Sequence, residues 1–401
     1  ARSDRNINLG LNNDFGTVAI ASGNDVTLRD INAIDLGASR VWGDLSVTAA
    51  GSITQSGALT MANSAGGTAK FIVTAVDSDM LLGQANFFGS VSVGVGGGGS
   101  VRDLTLRNVN STAIVPTLPT GLRNLSLQFD GTGMVLPGIT VTGDFNATAG
   151  RGSITQLDPN SRSGALSVSG AAVFDSAGSE VTLANRNNHF GGTVSVPDDL
   201  GTQRNVTLTA DRINVGRQGI TGKQIVLTAD EITSLDDSSL VQVTEPDFTQ
   251  VGLSLHGLKG DGVFGTFDRP LFVFMDSELQ LTPNTPSLTN IVLLAGPPEP
   301  KPRYLNGPGR RVVDYNFGLT APPAGVAALN AAYAPLRRLL SEVLASGYSK
   351  ENVRKQLAEG LVLETGVAPP ALDNIVDEGI RLPEVSCGGI RTASWATSLE
   401  C

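Results

Sequence analysis

Three kinds of residue in this chain could carry chemistry: close acidic pairs, two histidines and two cysteines. The acidic pairs are Asp77 with Asp79, Asp198 with Asp199, and Asp236 with Asp237. Paired carboxylates could act as general acid and base on a glycosidic bond, or hold calcium in a polysaccharide lyase, given basic residues along the same groove. Each pair, however, lies in a turn rich in Gly or Ser, where Asp is favoured because its side chain bonds nearby backbone. A turn role is therefore expected. His189 and His256 are far apart in the chain, and His189 fills a variable position in a repeated N-x-F-G phrase, so it is expected to be solvated. The stretch GVGGGGS (94–100) lacks the Lys-Ser/Thr ending and following helix of a phosphate loop, which predicts a flexible turn. No catalytic site, cofactor or metal centre is expected.

The elements that would position such residues are short. Runs such as DVTLRDI (25–31), DLSVTA (44–49), RDLTLRNV (102–109), RNLSLQF (123–129), NVTLTADRINV (205–215) and QIVLTADEITS (224–234) alternate apolar residues with Thr, Ser or charge. That period of two marks strands with one buried face. Gly, Asn, Asp and Ser between the runs end each strand in a turn. Composition agrees: 48 glycines and 5% aromatics cannot fill a thick core, whereas a thin core needs only a few aliphatic side chains from each strand. The net charge of −10 disfavours nucleic acid and anionic membranes, which need clustered Lys and Arg. No apolar run approaches the roughly 18 residues that a helical membrane span requires, so none is expected.

The runs also repeat. LTAD at 208–211 returns at 227–230, and GDLSVTAAGSITQSGAL from Gly43 reappears as GDFNATAGRGSITQLDPNSRSGAL from Gly143. ANFFGSVSV (85–93) is echoed by NNHFGGTVSV (187–196), with NNDFGTVAI (12–20) as a third copy. A unit of about 20 residues cannot bury its own apolar face and must stack on copies of itself. Strands joined by Gly and Asn turns, without a leucine-rich framework, predict an all-β parallel β-helix of about 14 coils over residues 1–295. Val26, Leu28, Leu45, Val47, Leu104, Leu106, Val206, Leu208, Val226 and Leu227 are the expected interior residues.

GDLSVTAAGSITQSGAL, VSGAAVFDSAGSEVTLANRNNHFGGTVSV and GDGVFGTFDRPLFV resemble the shaft of two-partner secretion exoproteins, the filamentous-haemagglutinin-like adhesins. The resemblance covers residues 1–295. It implies a right-handed β-helix exported through an outer-membrane barrel partner and displayed on the surface of a Gram-negative cell. That family's amino-terminal secretion domain is not visible and residue 1 is Ala, so a carboxy-terminal part of a larger adhesin is expected. The runner-up function is a β-helix polysaccharide lyase or hydrolase. An enzyme would require acidic and basic residues aligned in a groove on one face of successive coils.

After residue 295 the texture changes. GPPEPKPRYLNGPGRR (296–311) and APPAG (321–325) predict a Pro/Gly-rich linker over 296–325. Leu336, Leu339, Leu340, Val343 and Leu344 then fall at helical spacing, Ser349 is a reasonable N-cap for a second helix, and a third follows Pro369 and Pro370. A small helical segment is thus expected at 326–386.

The two cysteines, Cys387 and Cys401, bracket the end of the chain. In an exported chain they most simply form one disulfide; free thiols, a shared zinc or an intermolecular bridge are the alternatives, although two thiols alone cannot complete a tetrahedral zinc site. A loop of that size contributes about 3 kcal/mol but braces nothing else at a terminus. Two covalently joined strands would instead obstruct a narrow secretion barrel. The arrangement is similar to the terminal cysteine hook of high-molecular-weight two-partner adhesins, including one of the biofilm matrix. By that resemblance Cys387 and Cys401 hold the chain at its transporter with the carboxy terminus periplasmic, Gly388 and Gly389 ease the turn, and Trp395 packs inside the loop. Extracellular polysaccharide is the expected ligand. A periplasmic release protease is a further expected partner, because Thr48, Ala49, Ala50 and Gly51 resemble the tetrapeptide such proteases cut. A folded strand is a poor substrate, however, and the linker at 296–311 is the easier place.

Overall fold

The alternation of apolar and polar residues produces the strands it predicts. A computed structural model describes residues 5–62, 67–197, 204–236, 238–244, 252–259, 262–266, 269–274, 279–282, 288–295 and 311–317. It is all-β, a parallel β-solenoid of about 11 turns with almost no helix. Along Val26–Asp30 and Leu45–Ala49 every second side chain is buried, and Val26, Leu28, Leu45 and Val47 are at most 3% exposed. Val226 departs from the expected interior set. In Gln224–Thr228 the buried positions are Ile225 and Leu227, with Val226 between them on the outer side, because successive side chains of a strand point to opposite faces. The coils are fewer than expected because many are longer than the shortest repeat. Val26 pairs with Leu45 across one short coil, whereas Phe145 pairs with Ala172 across a distinctly longer one.

The chain divides into two compact units, one of residues 1–213 with 220–225, the other of 214–219 with 226–401. In the first, Ile7–Asn13, Val26–Asp30, Leu45–Ala49, Thr68–Val73 and Ser90–Val95 stack as one sheet. Ile34–Leu36, Ile53–Gln55, Ser78–Asn86, Val101–Asn108, Asn124–Phe129, Phe145–Ala149 and Ala172–Asp175 stack within a second. The interior carries an edge-to-face column of Phe145, Phe174 and Phe190, with ring centroids 5.6 and 6.1 Å apart. The two long repeats do not occupy equivalent sheets. Leu45–Ala49 lies in the first sheet, yet its sister Phe145–Ala149 lies in the second, and Ile154–Gln156, sister of Ile53–Gln55, belongs to a third sheet that begins at Met134–Leu136. The phase changes between residues 95 and 124, where Ser90–Val95 ends the first sheet and Asn124–Phe129 stacks on Val101–Asn108.

The second unit pairs Glu231–Ser234 with Val263–Phe264, Leu240–Val243 with Leu271–Phe274, and Leu253–His256 with Leu279–Thr282, all parallel. Arg311–Phe317, inside the stretch expected as linker, pairs antiparallel with Leu288–Ala295. The helical segment expected at 326–386 and the terminal loop at 387–401 lie outside the described residues.

Turn chemistry explains the recurring Gly-Asp phrase. The side-chain oxygen of Asp25 accepts the Asp44 backbone N–H at 3.0 Å, and that of Asp44 accepts the Thr68 N–H at 2.8 Å. In the second repeat Asn124 accepts from Asp144 at 2.9 Å and Asp144 from Ala171 at 2.8 Å. The glycine before each Asp follows from the same contact. A Cβ at Gly43 would stand 2.0 Å from Asp25 Oδ1, and one at Gly143 2.3 Å from Asn124 Oδ1.

Inside the coils a second device repeats. Gln55 and Asn86 exchange amide hydrogen bonds of 2.8 and 3.0 Å, and Gln156 and Asn188, their sisters, exchange bonds of 2.8 and 3.1 Å. Asn86 Oδ1 also accepts the Leu59 N–H, as Asn188 Oδ1 accepts that of Leu166. Asn86 is fully buried, so Asn86→Ala strands several interior donors and acceptors at about 1–3 kcal/mol each. Denaturant unfolding followed by circular dichroism should show that loss. Thr27→Ala, on the outer face, should stay within about 0.5 kcal/mol of the parent. Equal effects of the two substitutions would refute the role given to the amide pair.

Candidate functional site

Among the described residues singled out by type, Asp77 and Asp236 lie in turns as expected, whereas Asp79 lies in the strand Ser78–Asn86 and both histidines lie in strands. Asp77 has a positive φ of 53°, and its backbone N–H donates to Ser100 Oγ at 2.8 Å. Gly94 and Val95 of the glycine stretch end the strand Ser90–Val95, and residues 96–100 form the turn stacked against Asp77. Gly97 and Gly98 have φ of +58° and +83°, and a Cβ on Gly99 would lie 2.7 Å from the Thr74 carbonyl carbon. Asp236 accepts from the Ser238 hydroxyl at 2.6 Å, the Ser239 hydroxyl at 2.8 Å and Arg217 Nε at 2.9 Å. Asp198, Asp199 and Asp237 lie outside the described residues.

One acidic residue joins a charged column. Asp79 accepts from Arg102 Nε at 3.0 Å and Nη2 at 2.6 Å, and Asp103 accepts from Arg123 Nε at 2.9 Å and from its Nη2. These charges align on successive coils, as an enzymatic groove would require, but each carboxylate is closed by a two-pronged guanidinium contact. Hydrogen bonding to Arg123 holds the Asp103 carboxyl below its ordinary pKa, against a smaller desolvation effect. A general acid needs a shift in the opposite direction. Arg102 and Arg123 are 42% and 52% exposed, so these pairs contribute little to stability.

His189 is exposed, as expected, and it also has a partner: its Nδ1 lies 2.7 Å from Asp211 Oδ2. Ser167 stands in register with His189 one coil away. Serine, histidine and aspartate thus follow one another on one column, yet among the described residues no hydrogen bond joins Ser167 to His189, the contact that would activate a nucleophile. His256 ends the strand Leu253–His256, and its carbonyl accepts the Ala229 N–H at 3.0 Å. Among the described residues no cluster of three His, Cys, Asp or Glu could hold a metal ion.

Thr48 and Ala49 close the strand Leu45–Ala49, with Ala49 fully buried. Ala50 N–H donates to the Asp30 carbonyl at 3.1 Å and Gly51 N–H to that of Asn32 at 2.9 Å. All four residues are thus built into the scaffold. Cys387, Gly388, Gly389, Trp395 and Cys401 lie outside the described residues.

Sequence reasoning missed an apolar groove of about 800 Å³, lined by Ala113–Leu118 on one side and by Thr132–Val135, Pro137, Gly138, Ser153, Thr155 and Leu157 on the other. Its walls carry no charged residue, and Ile114, Val135 and Leu157 are 72%, 53% and 69% exposed. A signal existed in the repeat alignment. Val135 and Leu157 replace Asp35 and Ser56 of the first copy, which hydrogen-bond to each other at 2.5 Å.

Asp236 gives the described residues a measurable acid response. Bonding to Ser238 and Ser239, with Arg217 adding to it, lowers its pKa to about 2 from an ordinary 3.8. A depressed folded pKa stabilises the fold above the unfolded value, and that stabilisation is lost as pH falls from about 4 to about 2. Asp236→Asn should therefore be less stable than the parent at pH 7 and lose less stability across that window. The measurement is the denaturation midpoint against pH, and parallel curves for the two proteins would show that the pKa is unshifted.

A family described as repeats of unknown function (DUF5649) matches residues 23–94 and 122–197, once for each long repeat. Residues 95–121, which carry the phase change and one wall of the groove, fall between the two matches. No curated protein and no solved structure matches the chain.

Proposed function

We propose that the chain is the carboxy-terminal region of a large secreted surface adhesin of the two-partner secretion type, without enzymatic activity. Its solenoid, wound right-handed as parallel crossovers are, serves as a shaft on the surface of a Gram-negative cell. A small helical segment at 326–386 and a disulfide between Cys387 and Cys401 follow. Gly388, Gly389 and Trp395 shape that terminal loop, which lodges at the outer-membrane barrel partner. The shaft engages extracellular polysaccharide and neighbouring cells in a biofilm. A periplasmic protease releases it by cutting in the Pro/Gly-rich stretch 296–311.

One observation carries this reading: corner and interior polar residues of the repeats bond coil to coil. Asp25, Asp44, Asn124 and Asp144 accept backbone N–H groups of the next coil, and Gln55, Asn86, Gln156 and Asn188 pair inside it. Such a construction holds each coil to the next, which is what a shaft requires. Its phrases are also those that resemble the filamentous-haemagglutinin-like family.

The test compares cell-bound with released protein for the parent and for Cys401→Ser, with gel mobility measured with and without reductant. The parent should shift on reduction and remain on the cell, whereas Cys401→Ser should appear in the medium. A variant that stays cell-bound, together with free thiols in the parent, would rule out the hook.

A further inference from the structure

The groove at the phase change has a second property besides its apolar walls: it borders an open sheet edge. Met134–Leu136 is the first strand of the third sheet, and among the described residues its sole strand partner is Ile154–Gln156. Met134 N–H donates to Ser153 O, and Leu136 O accepts from Leu157 N–H, both at 2.8 Å. In a parallel ladder alternate residues bond to opposite sides, so the N–H and C=O of Val135 point to the other edge, into the groove. Among the described residues no backbone hydrogen bond crosses from Ala113–Leu118 to that edge.

The first repeat shows what the same position looks like when closed. There Ile34–Leu36 has a strand on both sides, Thr17–Val18 and Ile53–Gln55, and its outward residue Asp35 bonds to Thr54 and Ser56. In the second repeat no described strand takes the place of Thr17–Val18, and the outward residues have become Val135 and Leu157. An open edge normally carries a charge or is covered, and an exposed apolar patch marks an interaction site. Both features appear together at this edge of the second copy.

We propose that this groove binds an extended, uncharged peptide segment of a partner protein. The segment adds as a strand to the Val135 edge and lays apolar side chains against Ile114 and Val135. Backbone hydrogen bonds would provide affinity, and the apolar walls would select side chains. The absence of any charged lining residue argues for an uncharged occupant, since a charged one would be desolvated without a counter-ion. The proposal is independent of the adhesin reading, because it rests on this edge alone and is tested on isolated protein.

The probe is a capped, dye-labelled heptapeptide alternating valine and threonine, titrated against the full chain with fluorescence anisotropy. Saturable binding is expected. It should weaken at least tenfold for the same peptide N-methylated throughout, which cannot donate to a strand edge. It should weaken comparably in Ile114→Asp and in Val135→Asp, the latter restoring the residue type of the first copy. Both substituted side chains are largely exposed, and circular dichroism would confirm that the solenoid persists. Absence of saturable binding, equal affinity for the methylated peptide, or indifference to both substitutions would overturn the proposal. So would saturable binding of laurate without binding of the peptide, which would make the groove an acyl-chain site.

Discussion

The solenoid depends on a side-chain oxygen that takes the place of a missing backbone acceptor between strands. Parallel strands satisfy one another's N–H and C=O groups, but the corners joining them leave donors that a thin core cannot hide from the cost of burial. Asp25, Asp44, Asn124 and Asp144 solve this from the preceding coil with a short side chain that needs no room. The corner must then lack a Cβ where that oxygen passes, which is why Gly43 and Gly143 precede Asp44 and Asp144. Composition follows from the same constraint. A chain made of such corners is rich in Gly, Asn and Asp and has little space for aromatic residues.

The interior amide pairs perform the complementary task. Gln55 with Asn86 and Gln156 with Asn188 satisfy one another and reach adjacent backbone, so they lock the spacing of coils where aliphatic packing alone would tolerate slippage. The insert between the two repeats shows how robust this arrangement is. Across residues 95–121 the winding advances to another face, and both sides retain their own corner bonds and amide pairs. Interactions that are local to neighbouring coils allow such a change, because each coil answers only to the next.

Most of this fold was legible in the sequence because its rules are periodic. Alternation announced the strands, and the return of G-D-x-x-x-T-A and S-I-T-Q announced the stacking. Val226 was misplaced because Ile225, Val226 and Leu227 form an unbroken apolar run, and period alone does not say which of two adjacent ones faces inward. The phase change was invisible for a related reason: Leu45–Ala49 and Phe145–Ala149 have the same local pattern, and the sheet each joins is decided by the length of chain between coils. The groove was missed because Ile114, Val135 and Leu157 come from different coils, and Ile114 lies in a segment with no repeat to compare.

These failures share a physical cause that bears on function in repeat proteins generally. Inward and corner positions are bound to their neighbours, so Gln55 and Gln156, or Asp44 and Asp144, keep their identity from copy to copy. Outward positions are bound only to solvent or to each other, and Asp35 with Ser56 can become Val135 with Leu157 without disturbing the coil beneath. Motifs visible by repetition therefore describe the scaffold, and the charged column of Asp79, Arg102, Asp103 and Arg123 shows that even aligned outward charges can simply neutralise one another. Binding specificity in such a chain belongs where two copies differ and the ladder is interrupted. In the described residues of the first unit, both conditions meet at the open edge of Met134–Leu136.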